Sequence, residues 1–128
     1  MAKVERFEDL IAWQKARALR REIQKASLAS VFRKDLELRS QIRRAALSVM
    51  SNIAEGFERG TRAEFAHFLA TSKASCGEVR SLLYAAFDDE LIDETAFNRL
   101  YAATDEVSRI TGGLRATVVK QREEDRRK

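Results

Sequence analysis

A chain of 128 residues, 45% hydrophobic and 34% charged, has the composition of one globular domain, which excludes a disordered chain and a membrane protein. Its net charge of +4 is concentrated in the first half: residues 1–64 hold 14 Lys/Arg against 9 Asp/Glu, and residues 65–128 hold 10 against 11. That excess permits contact with nucleic acid without requiring it.

Four segments in turn carry apolar residues at spacings of three and four, the period of a helix with one buried face. The first runs from about Glu8 to Ser27, with Leu10, Trp13, Ala16, Leu19, Ile23 and Ala26 in its stripe. Phe7 just before it is placed as a hydrophobic staple. A polar connector ending in SVFRKD follows. The second segment runs from about Leu36 to Glu58, with Leu38, Ile42, Ala45, Ala46, Val49 and Ile53 facing inward. The third opens at Thr61, where TRAE reads as a capping box closed by Glu64. It continues through Phe65, Phe68, Leu69, Ser72, Cys76, Val79, Leu82, Leu83 and Ala86 to the DDE run, and is expected to be the longest helix or nearly so. Asp93 is placed to cap the fourth, whose stripe is Phe97, Leu100, Ala103, Val107, Ile110, Leu114 and Val118. Gly112 and Gly113 are expected to interrupt it, and residues 120–128, which lack an apolar face, to form a frayed tail. The chain contains no proline, consistent with long helices, because proline costs about 3 kcal/mol inside one.

Four such helices with short connections, and no strand signal, predict an all-α fold: a single domain over 1–128 built as an antiparallel up-down-up-down four-helix bundle. The stretch SNIAEGFERG fits that fold as a tight helical hairpin. Gly60 is placed to end the second helix in a left-handed conformation, directly before the Thr61 cap. Gly56, one turn earlier, would admit a neighbouring backbone, and the Asn52 amide would satisfy backbone groups near the turn.

These residues resemble a known family. QIRRAALSVMSNIAEGFERGTRAEFAHFLATSKASCGEV is similar to the signature of four-helix-bundle proteins encoded in intervening sequences of bacterial 23S rRNA genes. The matching positions are Gln41 to Arg44, Asn52 to Gly56, Arg59, Glu64 with Phe65, Phe68 with Leu69, and Ser75 with Glu78. FEDLIAWQKA, Phe7 to Ala16, resembles the family's start. One departure is Ala74, where the family often has glycine, and its methyl is expected to widen the closest helix approach. The resemblance implies a ring-shaped homopentamer and kinship with the accessory variability proteins of diversity-generating retroelements, which are basic pentamers that bind nucleic acid and a reverse transcriptase. It brings no catalytic residue and no cofactor.

The residues themselves offer little catalytic chemistry. Glu64 and His67 have the Glu-x-x-His spacing of di-metal bundles, but such a site needs two of these motifs, and the chain holds one histidine. Cys76 would need an activating base to act as a nucleophile, and it sits in a helical stripe among Ser72, Ser75 and Gly77 as a small apolar residue. No phosphate-binding glycine loop is present. The reading is therefore no enzyme, no metal and no cofactor. A single cysteine, no signal-peptide core in MAKVERFEDL and no apolar run long enough for a bilayer point to a cytoplasmic protein with no membrane partner.

Candidate nucleic-acid-binding residues are Arg39, Arg43, Arg44, Arg33 and Lys34, with a second cluster of Arg17, Arg20 and Arg21 beside Lys15 and Lys25. Helical spacing sets several on shared faces, where they would neutralise phosphates without reading bases. Candidate structural or interface residues are Asn52, Glu55, Gly56, Arg59, Gly60, Thr61, Glu64, Ser75 and Glu78. Glu55 and Arg59 are spaced to pair along one helix; the family resemblance implies the alternative that they bridge subunits. Extra apolar residues beside the stripes (Ile11, Leu47, Met50, Phe57, Phe87 and Tyr101) are expected to form a patch that self-assembly covers. The expected function is a ring-forming bundle that binds RNA or DNA; the alternative is a homo-oligomeric scaffold for a protein partner.

Overall fold

Four helices follow one another in the computed structural model, which describes residues 3–128: α1 (Ile11–Ala26), α2 (Leu36–Glu58), α3 (Arg62–Asp88) and α4 (Glu94–Arg126). Met1 and Ala2, the first residues of the predicted domain, lie outside the described residues. The described residues contain no strand. Each helix packs on the next in sequence and α1 closes against α4, so the bundle is an antiparallel square with α1–α2 and α3–α4 on opposite sides.

The predicted stripes form most of the core. Leu19 and Ile23 of α1, Ile42, Val49 and Ile53 of α2, and Leu69, Val79 and Leu83 of α3 are all buried. In α4 the innermost line differs from the predicted one. It is Leu100, Thr104, Val107, Thr111 and Val118, while Phe97, Ala103, Ile110 and Leu114 sit half-buried at its flank. Thr104 is tolerated there because its hydroxyl donates to the Leu100 carbonyl at 2.7 Å.

The α2–α3 turn has the predicted chemistry. Gly60 adopts φ +90°, and the Thr61 hydroxyl accepts from the Glu64 backbone N–H at 3.2 Å. The same hydroxyl reaches the Glu64 carboxylate at 3.3 Å, so the box closes on the side chain of the cap. A Cβ on Gly60 would meet nothing within 4 Å. Gly60→Val is therefore expected to cost only the backbone strain of the left-handed region, about 1–2 kcal/mol. Chemical denaturation checks this, and a loss of a few tenths would contradict the assigned conformation.

Several boundaries depart from the sequence reading. α1 starts at Ile11, because Phe7–Asp9 forms a separate 3-10 turn. Phe7 thus lies three residues before the cap and packs edge-on against Trp13 at 5.1 Å instead of acting as a staple. α4, at 33 residues, exceeds α3 at 27. Gly112 and Gly113 do not interrupt it, since packing against α3 outweighs a propensity loss of roughly 1 kcal/mol per glycine. The C-terminal residues are helical to Arg126: Arg62 at the start of α3 pairs with Asp125 and donates to the Gln121 carbonyl at 3.4 Å. Two anchors from another helix hold turns that have no apolar face of their own.

The α3–α4 turn uses no glycine. Glu90 takes φ 59°, with Glu90 N–H bonded to the Phe87 carbonyl at 3.0 Å and Leu91 N–H to the Ala86 carbonyl at 2.8 Å. This paired arrangement caps the last carbonyls of α3, and buried Leu91 supplies its apolar contact. Asp93 then caps α4 by accepting from the Ala96 N–H at 2.8 Å.

Candidate nucleic-acid interface

The α1–α2 side of the bundle is built around Arg43. Its Nε donates to the hydroxyl of Ser27 at 2.6 Å, and that hydroxyl donates in turn to the Gln24 carbonyl at 2.9 Å. Ser27 is buried at the C-terminal end of α1, so a guanidinium of α2 is tied to the neighbouring helix. Arg39 lies one turn before Arg43 on the same face of α2. Arg43 Nη2 and Arg39 Nε are both buried with no hydrogen-bond partner among the described residues. The Arg43 pKa is lowered, first by burial, then by the positive charges of Arg39 and of Arg20 on α1. Through Ser27, Arg43 is tied to α1, the helix that carries the second basic cluster.

The other candidates lie elsewhere on α1, α2 and the connector between them. Arg17 lies over the Trp13 ring at 5.8 Å, a cation–π distance. Arg44 reaches Ser40 at 3.4 Å and is exposed, as are Arg21, Arg33 and Lys34. Among the described residues none of the eight candidate cations forms an ion pair with a carboxylate. The opposite flank of α1 is different: Lys15 pairs with Glu106 at 3.3 Å, and Glu22 with Arg99 at 2.6 Å. Positive charge is thus neutralised towards α4 and left uncompensated towards α2.

The structural candidates cluster on the α2–α3 side. Arg59 pairs with Glu55 at 2.6 Å and Glu64 at 3.7 Å, and lies over Phe68 at 5.0 Å. It joins the two ends of the hairpin within one chain. A Cβ on Gly56 would stand 2.6 Å from Phe68 Cβ, so this glycine sets the closest approach of α2 and α3. Asn52 does not serve the turn, because its amide donates back to the Ser48 carbonyl at 2.8 Å and hydroxyl at 2.9 Å. Ser48 and Ser75 are joined at 2.8 Å, and Ser72 donates to the Val49 carbonyl at 2.7 Å, giving a polar seam between the helices. Glu78 is exposed. Ala74 is also exposed, so its methyl does not widen the helix approach within the chain.

Catalytic groups are not brought together. His67 is exposed with its ring edge-on to Phe68 at 5.6 Å, while Glu64 is engaged with Thr61 and Arg59. Among the described residues no three His, Cys, Asp or Glu groups converge as a metal site. Burial pushes the Cys76 thiol up to about 11, which keeps it protonated and poorly nucleophilic at neutral pH.

Two features were not legible in the sequence reading. Ser27 is one, since nothing local distinguishes an orienting serine from a helix-end serine. The other is an aromatic surface on the α3–α4 side. Phe97 packs within 5.0 Å of Tyr84, 5.2 Å of Phe87 and 5.6 Å of Tyr101. Tyr84 is 52% exposed and Phe87 37%. Spacings of three and four, 84 to 87 and 97 to 101, were the available signal. Of the extra apolar residues, Phe87 and Tyr101 belong to this aromatic surface, Ile11 and Leu47 are exposed on α1 and α2, and Met50 and Phe57 pack partly against the core.

A family model described as 23S rRNA-intervening sequence protein matches residues 8–113. A crystal structure from Bacteroides thetaiotaomicron VPI-5482, of a protein with unknown function from the S23 ribosomal protein family, has a similar fold. It superposes with a TM-score of 0.76 at 18% identity, covering 83% of this chain and 96% of that one. No curated protein matches the chain.

Proposed function

We propose that this chain, which belongs to the 23S rRNA-intervening sequence protein family, is a non-enzymatic, ring-forming bundle that binds RNA or DNA through its α1–α2 face. The observation that carries the reading is the set of eight candidate cations on α1, α2 and their connector, none of them paired with a carboxylate among the described residues. Uncompensated arginines attract phosphates and release counter-ions, so affinity is expected to fall steeply with salt. With no extended base-reading surface, binding is expected to be insensitive to sequence. The family resemblance supplies the homopentamer, and a ring would repeat the basic face five times around one axis. The lone cysteine fits a cytoplasmic setting. No helix among the described residues is long and apolar enough to cross a membrane.

Fluorescence anisotropy with a labelled single-stranded RNA and a DNA duplex tests this, as does light scattering. The expected results are binding that weakens as salt rises, and a mass near five times 14.6 kDa. A stable monomer at micromolar concentration would overturn the assembly. A pentamer that binds neither polymer at low salt would pass the function to a second reading, a scaffold for a protein partner. The exposed rings of Tyr84 and Phe87 favour that second reading, because exposed aromatic clusters are typical of protein interfaces.

A further inference from the structure

The helices end unevenly at the end of the bundle that holds the α2–α3 turn. α1 begins there only at Ile11, while α4 runs on to Arg126, past its last buried side chain, Val118. Between them lies a cavity of about 550 Å3, inside the range of about 300–1,000 Å3 that small-molecule sites occupy. Buried Leu10 and Val118 form its floor, and Val4, Phe57, Phe65 and Leu114 its apolar wall. Phe57 and Phe65 stand edge-on at 5.8 Å, so each ring holds the other in place. The polar lining is Lys3, Arg62, Thr117 and Gln121, with no Asp or Glu among the described lining residues. Lys3, Val4, Arg62 and Thr117 are exposed and mark the opening, so solvent reaches the apolar wall. Arg62 is fixed at that rim, since its bonds to Asp125 and to the Gln121 carbonyl both run through Nη1. Lys3 has no ion-pair partner among the described residues.

We propose that this cavity binds an apolar monocarboxylate, a fatty acid of about ten carbons, with its chain against Phe57, Phe65 and Val118 and its carboxylate at Lys3. At roughly 30 Å3 per non-hydrogen atom, the share of a water molecule in the liquid, such a chain fits the volume. Burying it against the apolar wall supplies the attraction, and the polar rim sets its direction. The Arg62 charge is offset by Asp125, so Lys3 is the uncompensated cation of the lining and matches a single negative charge. The Gln121 amide adds a neutral donor beside it. A cationic amphiphile would meet Lys3 and find no carboxylate in the lining. A sugar or nucleotide, polar along its whole length, would leave its groups unpaired against the floor and wall. This site is independent of the nucleic-acid reading, and no polynucleotide enters its test.

The test titrates the full chain with sodium decanoate, kept below its micelle-forming concentration, and reads calorimetry, the thermal midpoint and the aromatic NMR signals. Decanoate is expected to bind once per chain, to raise the midpoint and to shift the Phe57 and Phe65 signals saturably. Butanoate, which keeps the head and loses the chain, and decylammonium, which reverses the charge, are expected to do none of these. Lys3→Glu changes an exposed residue outside the helices and is expected to weaken decanoate binding roughly fivefold. Thr117→Trp, at an exposed α4 position on the rim, is expected to abolish it by filling the opening. Tyr84→Ala, on the aromatic surface of α3, is expected to leave it unchanged. Circular dichroism confirms that each variant folds. Decanoate that fails to saturate overturns the site, as does binding that Lys3→Glu or Thr117→Trp leaves intact. Equal binding of decanoate and decylammonium, or loss of binding in Tyr84→Ala, would mean adsorption to exposed apolar surface and would also overturn it.

Discussion

Phe32→Ala is expected to destabilise the protein by about 3–5 kcal/mol, the range for deleting a fully buried ring. Phe32 sits in the α1–α2 connector, within a short 3-10 turn spanning Ser30–Lys34, yet is only 2% exposed. It closes one end of the core under a segment whose other residues are largely exposed. Its backbone is held as well, with Phe32 N–H donating to the Ala29 carbonyl at 3.0 Å and Asp35 N–H to the Phe32 carbonyl at 3.2 Å. The turn cannot collapse into the space without breaking these bonds, so the cavity term should be retained. Urea unfolding monitored by circular dichroism at fixed protein concentration measures the loss. A change below about 1 kcal/mol would mean that the connector is not seated on the core.

Gly56→Val is expected to cost about 3 kcal/mol, the upper part of the range for overpacking a close contact. The added Cβ would stand 2.6 Å from Phe68 Cβ and 3.2 Å from Phe65 Cδ1. The first neighbour is fixed to the α3 backbone, so the helices themselves must separate. Separation would strain the Ser72 to Val49 bond and the Ser48–Ser75 pair along the same seam. Gly113→Ala provides the opposite sign in the same fold. A Cβ there meets nothing within 4 Å, and the residue is an exposed helical position. Removing its backbone entropy should stabilise the protein by roughly 1 kcal/mol. Finding both glycines equally tolerant of a side chain would contradict the packing assigned to Gly56.

The difference between these glycines shows how far local patterns reach. Gly60 is legible as a left-handed turn because a capping threonine directly follows it, and Gly56 as a close approach because it lies one turn earlier. Gly112 and Gly113 were expected to break α4, and the helix passes through both. Nothing in residues 112 and 113 themselves says that α3 will lie alongside; Lys73, whose Cε would be 3.5 Å from a Cβ on Gly112, comes from 39 positions earlier. The C-terminal turns follow the same logic, since Arg62 holds them from the other end of the chain.

The candidate site divides in the same way. Composition and helical period identified every arginine of the α1–α2 face, because charge is a property of each residue and period 3.6 assigns it to a face. They separated Arg20 from Arg39 and Arg43, which lie on different helices. The bond by which Ser27 holds Arg43 depends on how α1 and α2 are set against each other. The sequence by itself determined four helices, their order and most of their buried faces, together with the sign of the charge, since each follows from neighbours within about two turns. The tertiary structure alone decided which arginine Ser27 holds, which glycines are crowded, where the aromatic rings gather and how far α4 extends. Each of those depends on contacts between residues far apart in the chain, and no local period encodes them.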